Sequence, residues 1–70
     1  MSEKIVVIIA FNKETRSLEM PSGSTVEDVL RTMGLYPDAH IVLRGKVPVP
    51  ITERLKDREE FRIIKVASGG

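Results

Sequence analysis

The chain has 70 residues, 11 basic and 10 acidic side chains, a formal net charge of +1 and no cysteine. That length suits one domain near the lower limit at which a hydrophobic core stabilises a fold unaided, and the 41% hydrophobic and 30% charged residues are those of a folded rather than a disordered chain. Missing thiols exclude a disulfide framework, a cysteine-ligated metal and a cysteine nucleophile, and balanced, interspersed charges lack the footprint of a nucleic-acid binder. A reducing, cytoplasmic setting and a free monomer are expected. The apolar run at residues 5–10 is too short to span a bilayer and carries no signal-peptide pattern, so no membrane association is expected.

Ile5-Val6-Val7-Ile8-Ile9 is a continuous β-branched run, the pattern of a central strand with apolar neighbours. Asn12 is a natural turn residue, which makes residues 15–20 the returning arm of a hairpin. Leu18 and Met20 share one face there, and Thr15, Ser17 and Glu19 take the other. Ser24-Thr25-Val26-Glu27 has the form of a capping box, with Ser24 as N-cap and Glu27 reaching back to it. Val26, Val29, Leu30 and Met33 then fall at helical spacing on one apolar stripe, and Gly34 is the expected stop.

Pro37 prevents helical continuation, so residues 35–38 read as a connection. His40-Ile41-Val42-Leu43-Arg44 is a strand, and Gly45-Lys46 turns into Val47-Pro48-Val49-Pro50, whose prolines limit it to a brief edge strand. Residues 51–60 are charged and irregular, with one helical turn expected around Glu53-Arg54-Leu55 and Leu55 anchoring the segment in the core. Residues 61–66 form the last strand. Ala67-Ser68-Gly69-Gly70 leaves it as a thin stalk whose α-carboxylate is a chemical handle, although a linker remnant would leave the same two glycines.

Strand, strand, helix, strand, short strand, strand is a two-layer α+β arrangement. If the first and last strands lie side by side at its centre they must be parallel, with the helical crossover joining the halves. This is the β-grasp layout: a mixed four- to five-stranded sheet packed on one helix, occupying residues 1–66, with residues 67–70 as a flexible tail. On these features, together with Ile41-Val42-Leu43-Arg44-Gly45-Lys46, Val49-Pro50, the Leu55-x-Asp57 approach and the terminal Ser68-Gly69-Gly70, the chain resembles the ubiquitin-like sulfur carriers of the ThiS and MoaD type. In fold order it is also similar to ubiquitin and the small archaeal modifiers. One departure is Asp57-Arg58-Glu59-Glu60 before the last strand, where such carriers often have a glycine in an Asp-Gly-Asp-like turn.

The resemblance implies that the Gly70 carboxylate is adenylated by an ATP-dependent activating enzyme of the ThiF/MoeB kind. ATP and Mg²⁺ are supplied there, because this chain has no phosphate loop. A carboxylate with an ordinary pKa of about 3.5 is an anion at neutral pH and a poor acyl donor, which is why activation is needed. The acyl adenylate is then captured by sulfur, giving a thiocarboxylate for thiamine, molybdopterin or tRNA thiolation through a sulfurtransferase or downstream synthase. Capture by lysine-bearing target proteins would instead give an isopeptide bond. Ser68 and Gly69 are the expected recognition residues of the tail.

If Phe61 and Ile63 face the helix, alternation sends Arg62, Ile64 and Val66 to the opposite face. Val42, offset from Ile41 and Leu43 as the buried pair, is expected to join them. By similarity to ubiquitin, Val42 and Ile64 fall where that family keeps an apolar docking patch, the alternative being that both faces of a central strand are covered.

The remaining candidates have plainer readings. His40 is the sole histidine, so a multi-histidine metal site is impossible and a surface position at a strand start is expected. Ser22-Gly23-Ser24 is explained by helix capping. Asp57, Glu59 and Glu60 read as a solvated acidic turn rather than an acid pair. The bases at positions 54, 56, 58, 62 and 65 lack interleaved aromatics, which argues against RNA contact. No catalytic residue is assigned and no enzyme is expected; the competing function is a β-grasp binding module with an incidental tail.

Overall fold

A computed structural model of the chain describes residues 3–66. Two long strands, β1 (Lys4–Phe11) and β2 (Glu14–Pro21), precede the helix α1 (Val26–Thr32). A 3₁₀ turn (Pro37–Ala39) then leads into β3 (His40–Arg44), β4 (Val47–Val49) and β5 (Glu59–Lys65). The five strands form one sheet in the order β2-β1-β5-β3-β4, with β1 and β5 parallel and the other neighbours antiparallel. This is the expected β-grasp arrangement, and β4 is the brief edge piece that Pro48 allows.

The core lies between α1 and one sheet face. Val7 and Ile9 from β1, Phe61 and Ile63 from β5, and Val42 from β3 meet Val26, Val29 and Leu30 of the helix, and Met20 and Leu55 close the ends. Ile9, Leu30 and Val7 are wholly buried, each side chain stabilising the fold by roughly 1.5–3 kcal/mol relative to exposure. The expected helical stripe is therefore correct.

The start of α1 is one residue later than its sequence pattern indicates. Thr25 is the N-cap, and Asp28, three residues on, accepts the Thr25 backbone N–H at 2.9 Å and its hydroxyl at 3.2 Å. Ser24 is instead buried, its hydroxyl donating to the Pro21 carbonyl at 2.6 Å while its own carbonyl accepts the Leu55 N–H at 2.9 Å. Two further helix N–H groups, of Val26 and Glu27, donate to the carbonyls of Glu53 and Ile51, both at 2.9 Å. The helix terminus is thus satisfied by the 51–55 segment rather than by water. That use of the segment is why no helical turn forms at residues 53–55: its carbonyls are already committed.

The two-residue turn between β1 and β2 has positive φ at both Asn12 (55°) and Lys13 (65°), the backbone that matches the twist of a tight hairpin. Pro37 opens the 3₁₀ turn rather than merely ending a helix, because proline is tolerated where no N–H partner is needed. Asp57-Arg58 sets the entry of β5. The Asp57 carboxylate accepts the Val6 N–H at 2.9 Å and the Arg58 N–H donates to the Val6 carbonyl at 2.6 Å, with Arg58 held at φ +62°.

Two substitutions test this account by urea denaturation. Asp28→Ala is expected to lose about 1 kcal/mol through the cap while Glu27→Ala changes little, and equal losses would contradict the capping register. Arg58→Gly is expected to be neutral or to stabilise by up to about 1 kcal/mol, because a left-handed non-glycine residue costs about 1–2 kcal/mol and glycine returns part of that as chain entropy.

Candidate functional site

The region of interest is the C-terminal end of β5 and what surrounds it. Ser68, Gly69 and Gly70, the sequence-derived tail residues, lie outside the described residues. The strand that leads to them is held on both sides: Phe61 and Ile63 pair with Ile9 and Phe11 of β1, and Ile64 and Lys65 pair with Ile41 and His40 of β3. Val66 is half-buried just past the strand, and its N–H donates to the Ala39 carbonyl at 2.9 Å. The chain reaches residue 67 from a central strand anchored up to its last residue.

Arg62 and Ile64 lie on the sheet face away from the helix and are exposed, as alternation predicts. Val42 does not join them. It is 4% exposed, because the β3–β5 register sets it opposite Ile63 on the helix side. The residue beside Ile64 on the open face is Ile41; these two are 42% and 43% exposed. Leu43 shares that face, opposite Arg62, and is half-buried. Three consecutive apolar residues in β3 leave its parity unreadable from its own pattern, and only the antiparallel register decides it.

A cluster that the sequence pattern does not reveal sits on the helix side. The Arg44 guanidinium lies 2.9 Å from a Glu53 carboxylate oxygen and 2.6 Å from one of Glu59, and 5.6 Å above the Phe61 ring. Desolvation alone would lower its pKa, but contacts with Glu53 and Glu59 and their charges outweigh it and hold the group above its ordinary value. Arg44 is therefore held as a cation. It joins β3, the 51–55 segment and β5. Glu59, whose other oxygen accepts the Lys56 N–H at 3.1 Å, is thus engaged rather than part of a solvated acidic turn.

His40 is half-buried rather than a free surface residue. Its ring meets Phe11 edge-on at 5.6 Å, and Nδ1 lies 2.9 Å from the Tyr36 carbonyl, which assigns the proton to Nδ1 as donor. Among the described residues, no group of three or more His, Cys, Asp and Glu side chains is placed to hold a metal ion. No described helix is long and apolar enough to cross a membrane.

No family model matches the chain. One relative, an uncharacterized protein of Archaeoglobus fulgidus, is 23% identical over 65 residues, spanning 93% of this chain and 94% of its own. Caldiarchaeum subterraneum ubiquitin superposes with a TM-score of 0.72 at 20% identity, over 97% of this chain and all of that one. A ubiquitin-like domain of an Arabidopsis thaliana protein superposes at 0.73 with 12% identity, over 93% of this chain and 80% of that one. The N-terminal ubiquitin-like domain of the 4931431F19Rik protein gives 0.76 at 11% identity, over all of this chain and 82% of that one. The chain shares the ubiquitin-like β-grasp fold with these structures.

The register assignment has a direct test in urea denaturation. Ile64→Asp on the open face is expected to change stability by no more than about 1 kcal/mol. Val42→Asp, which places a charge beneath the helix, is expected to cost about 3–5 kcal/mol. A reversal of that order would return Val42 to the open face.

Proposed function

We propose that this ubiquitin-like protein is a sulfur carrier that acts through the α-carboxylate of Gly70. The observation that carries the reading is the delivery of the tail. β5 is paired on both sides and tied down at Val66, so residues 67–70 leave a rigid central strand and can reach at most about 14 Å beyond it. Ser68-Gly69-Gly70 is slim enough to enter a narrow partner channel, since glycines add no side chain.

In the proposed chemistry, a Gly70 carboxylate oxygen attacks the α-phosphorus of ATP and pyrophosphate leaves, giving an acyl adenylate. A sulfide equivalent then attacks the acyl carbon, AMP leaves, and a thiocarboxylate remains at Gly70. The activating enzyme supplies ATP, Mg²⁺ and the groups that stabilise the transferring phosphoryl charge. A sulfurtransferase supplies the sulfur, and a synthase downstream consumes it. A cytoplasmic setting suits this role, because a thiocarboxylate is preserved where thiols stay reduced.

A second reading is conjugation of Gly70 to lysine side chains of other proteins. It is favoured by the match to Caldiarchaeum subterraneum ubiquitin, which spans 97% of this chain and the whole of that one. Both readings use the same activated carboxylate and differ in the nucleophile that takes it.

The experiment is intact-mass measurement of the protein isolated from its own cells, beside a denaturing immunoblot. Sulfur carriage is expected to replace one carboxyl oxygen by sulfur at Gly70, and conjugation to give a ladder of larger species. Deleting Gly70 is expected to abolish either product while leaving the urea midpoint unchanged. An unmodified mass and no ladder under all growth conditions, or modification that persists without Gly70, would refute the tail-acting reading.

A further inference from the structure

An open sheet has two edges, and here they are β4 and β2. Each edge presents a row of unpaired backbone N–H and C=O groups, which folded proteins guard with short strands, prolines, bulges or unmatched charge. β4 is guarded. It is three residues long, with Pro48 at its centre opposite Leu43 of β3. A proline is admitted to a sheet where its missing N–H faces away from the neighbouring strand, so this edge has no donor at its middle.

β2 lacks such guards. It runs for eight residues and pairs with β1 one for one, from Phe11↔Glu14 to Lys4↔Pro21, without a bulge. Pro21 has no N–H for Lys4 opposite it, so that pair is a non-hydrogen-bonded one. Such pairs alternate with hydrogen-bonded ones in an antiparallel ladder, and the backbone groups of Glu19, Ser17 and Thr15 therefore also turn away from β1. The Pro21 carbonyl is taken by the Ser24 N–H at 3.1 Å and hydroxyl at 2.6 Å. Among the described residues, nothing meets the outward N–H and C=O groups of Thr15, Ser17 and Glu19, all three of which are exposed. The charges along the strand are matched locally, Glu14 with Arg16 at 3.3 Å and Glu19 with Lys4 at 3.2 Å.

Three outward residues at alternate positions are self-complementary about the middle one. We infer that two copies of this chain pair antiparallel along β2, with Ser17 meeting Ser17 of the second copy and Thr15 meeting Glu19 on either side of it. Each of these three pairs exchanges two backbone hydrogen bonds, and the two sheets become one of ten strands. The register follows from the residues. A shift of two positions one way sets Arg16 opposite Arg16, and like charges directly opposite are unfavourable. The same shift the other way sets Thr15 opposite Pro21, which has no N–H and whose carbonyl is occupied. In the register centred on Ser17, Arg16 meets Leu18 and Glu14 meets Met20. Because the Pro48 edge does not continue the sheet, the assembly closes at two copies instead of growing into a fibre. The β5 strands of the two copies run in opposite directions, so their tails depart from opposite ends of the joined sheet. Edge pairing buries little apolar surface, which makes the dimer weak and dependent on concentration. The inference does not rest on the proposed function.

The test begins with sedimentation equilibrium of the 70-residue chain from about 10 µM to about 2 mM. A reversible monomer–dimer equilibrium without larger species is expected. The chain has no cysteine, so single introduced thiols report the register under mild oxidation. Ser17→Cys is expected to give a disulfide-linked dimer, since its Cα atoms would lie about 5.5 Å apart on the two-fold axis. Thr15→Cys and Glu19→Cys are expected to cross-link with each other but not with themselves, because identical positions are then roughly 14 Å apart along the strands. Ser17→Pro, which copies the Pro48 guard, is expected to raise the dimer Kd about tenfold or more. Ser17→Lys sets like charges on the axis and leaves the pairing with β1 intact, so it is expected to raise Kd about threefold with an unchanged urea midpoint. A chain that remains monomeric at about 2 mM, a dimer that neither Ser17 variant weakens, self-cross-linking of Thr15→Cys as ready as that of Ser17→Cys, or growth beyond two copies would overturn the inference.

Discussion

Parallel pairing of β1 with β5 is the constraint on which the rest of this small protein depends. Parallel neighbours cannot be joined by a tight turn, so the 47 residues between them, 12–58, must cross over before β5 can pair. Here that excursion contains α1, which covers the face that Val7, Ile9, Phe61 and Ile63 present. It also contains the β3–β4 hairpin, which closes the free side of β5. Once β5 is central, its C-terminal end is fixed between the β1–β2 turn and the start of β3. The position from which the tail departs is thus a consequence of sheet order.

A chain this short leaves few groups for stabilisation, and polar ones are used twice. The 51–55 segment has no regular structure, yet its carbonyls satisfy the first N–H groups of α1 and Leu55 fills the core below them. Arg44 draws that segment toward β3 and β5 through Glu53 and Glu59, with its planar group over Phe61. Asp57 supplies a carboxylate where the backbone of β1 would otherwise have an unpaired donor. These contacts explain why a region that looks like a loose charged loop belongs to the folded unit.

The two sheet faces divide the labour. One is committed to the helix and the core. Among the described residues the other has no covering layer, and carries Ile41, Ile64 and Leu43 with Arg62 among them.

Local pattern was enough for the β-branched first strand, the helical stripe from Val26 to Met33, the glycine stop and the proline-limited edge, because each rests on periodicity or backbone propensity within a few residues. The two-layer order followed from their succession. What local pattern could not settle were matters of register and long-range contact. Ser24 and Thr25 are both good caps, and the choice fell to Thr25 because the Leu55 N–H claims the Ser24 carbonyl. Ile41, Val42 and Leu43 are all apolar, and the choice of buried residue fell to Val42 because antiparallel pairing sets it opposite Ile63. The Arg44 cluster joins residues from three separate segments, which no local pattern links. The sequence by itself determined which segments are strands and helix; tertiary pairing decided which face each side chain meets, since a shift of one residue in a strand reverses its faces.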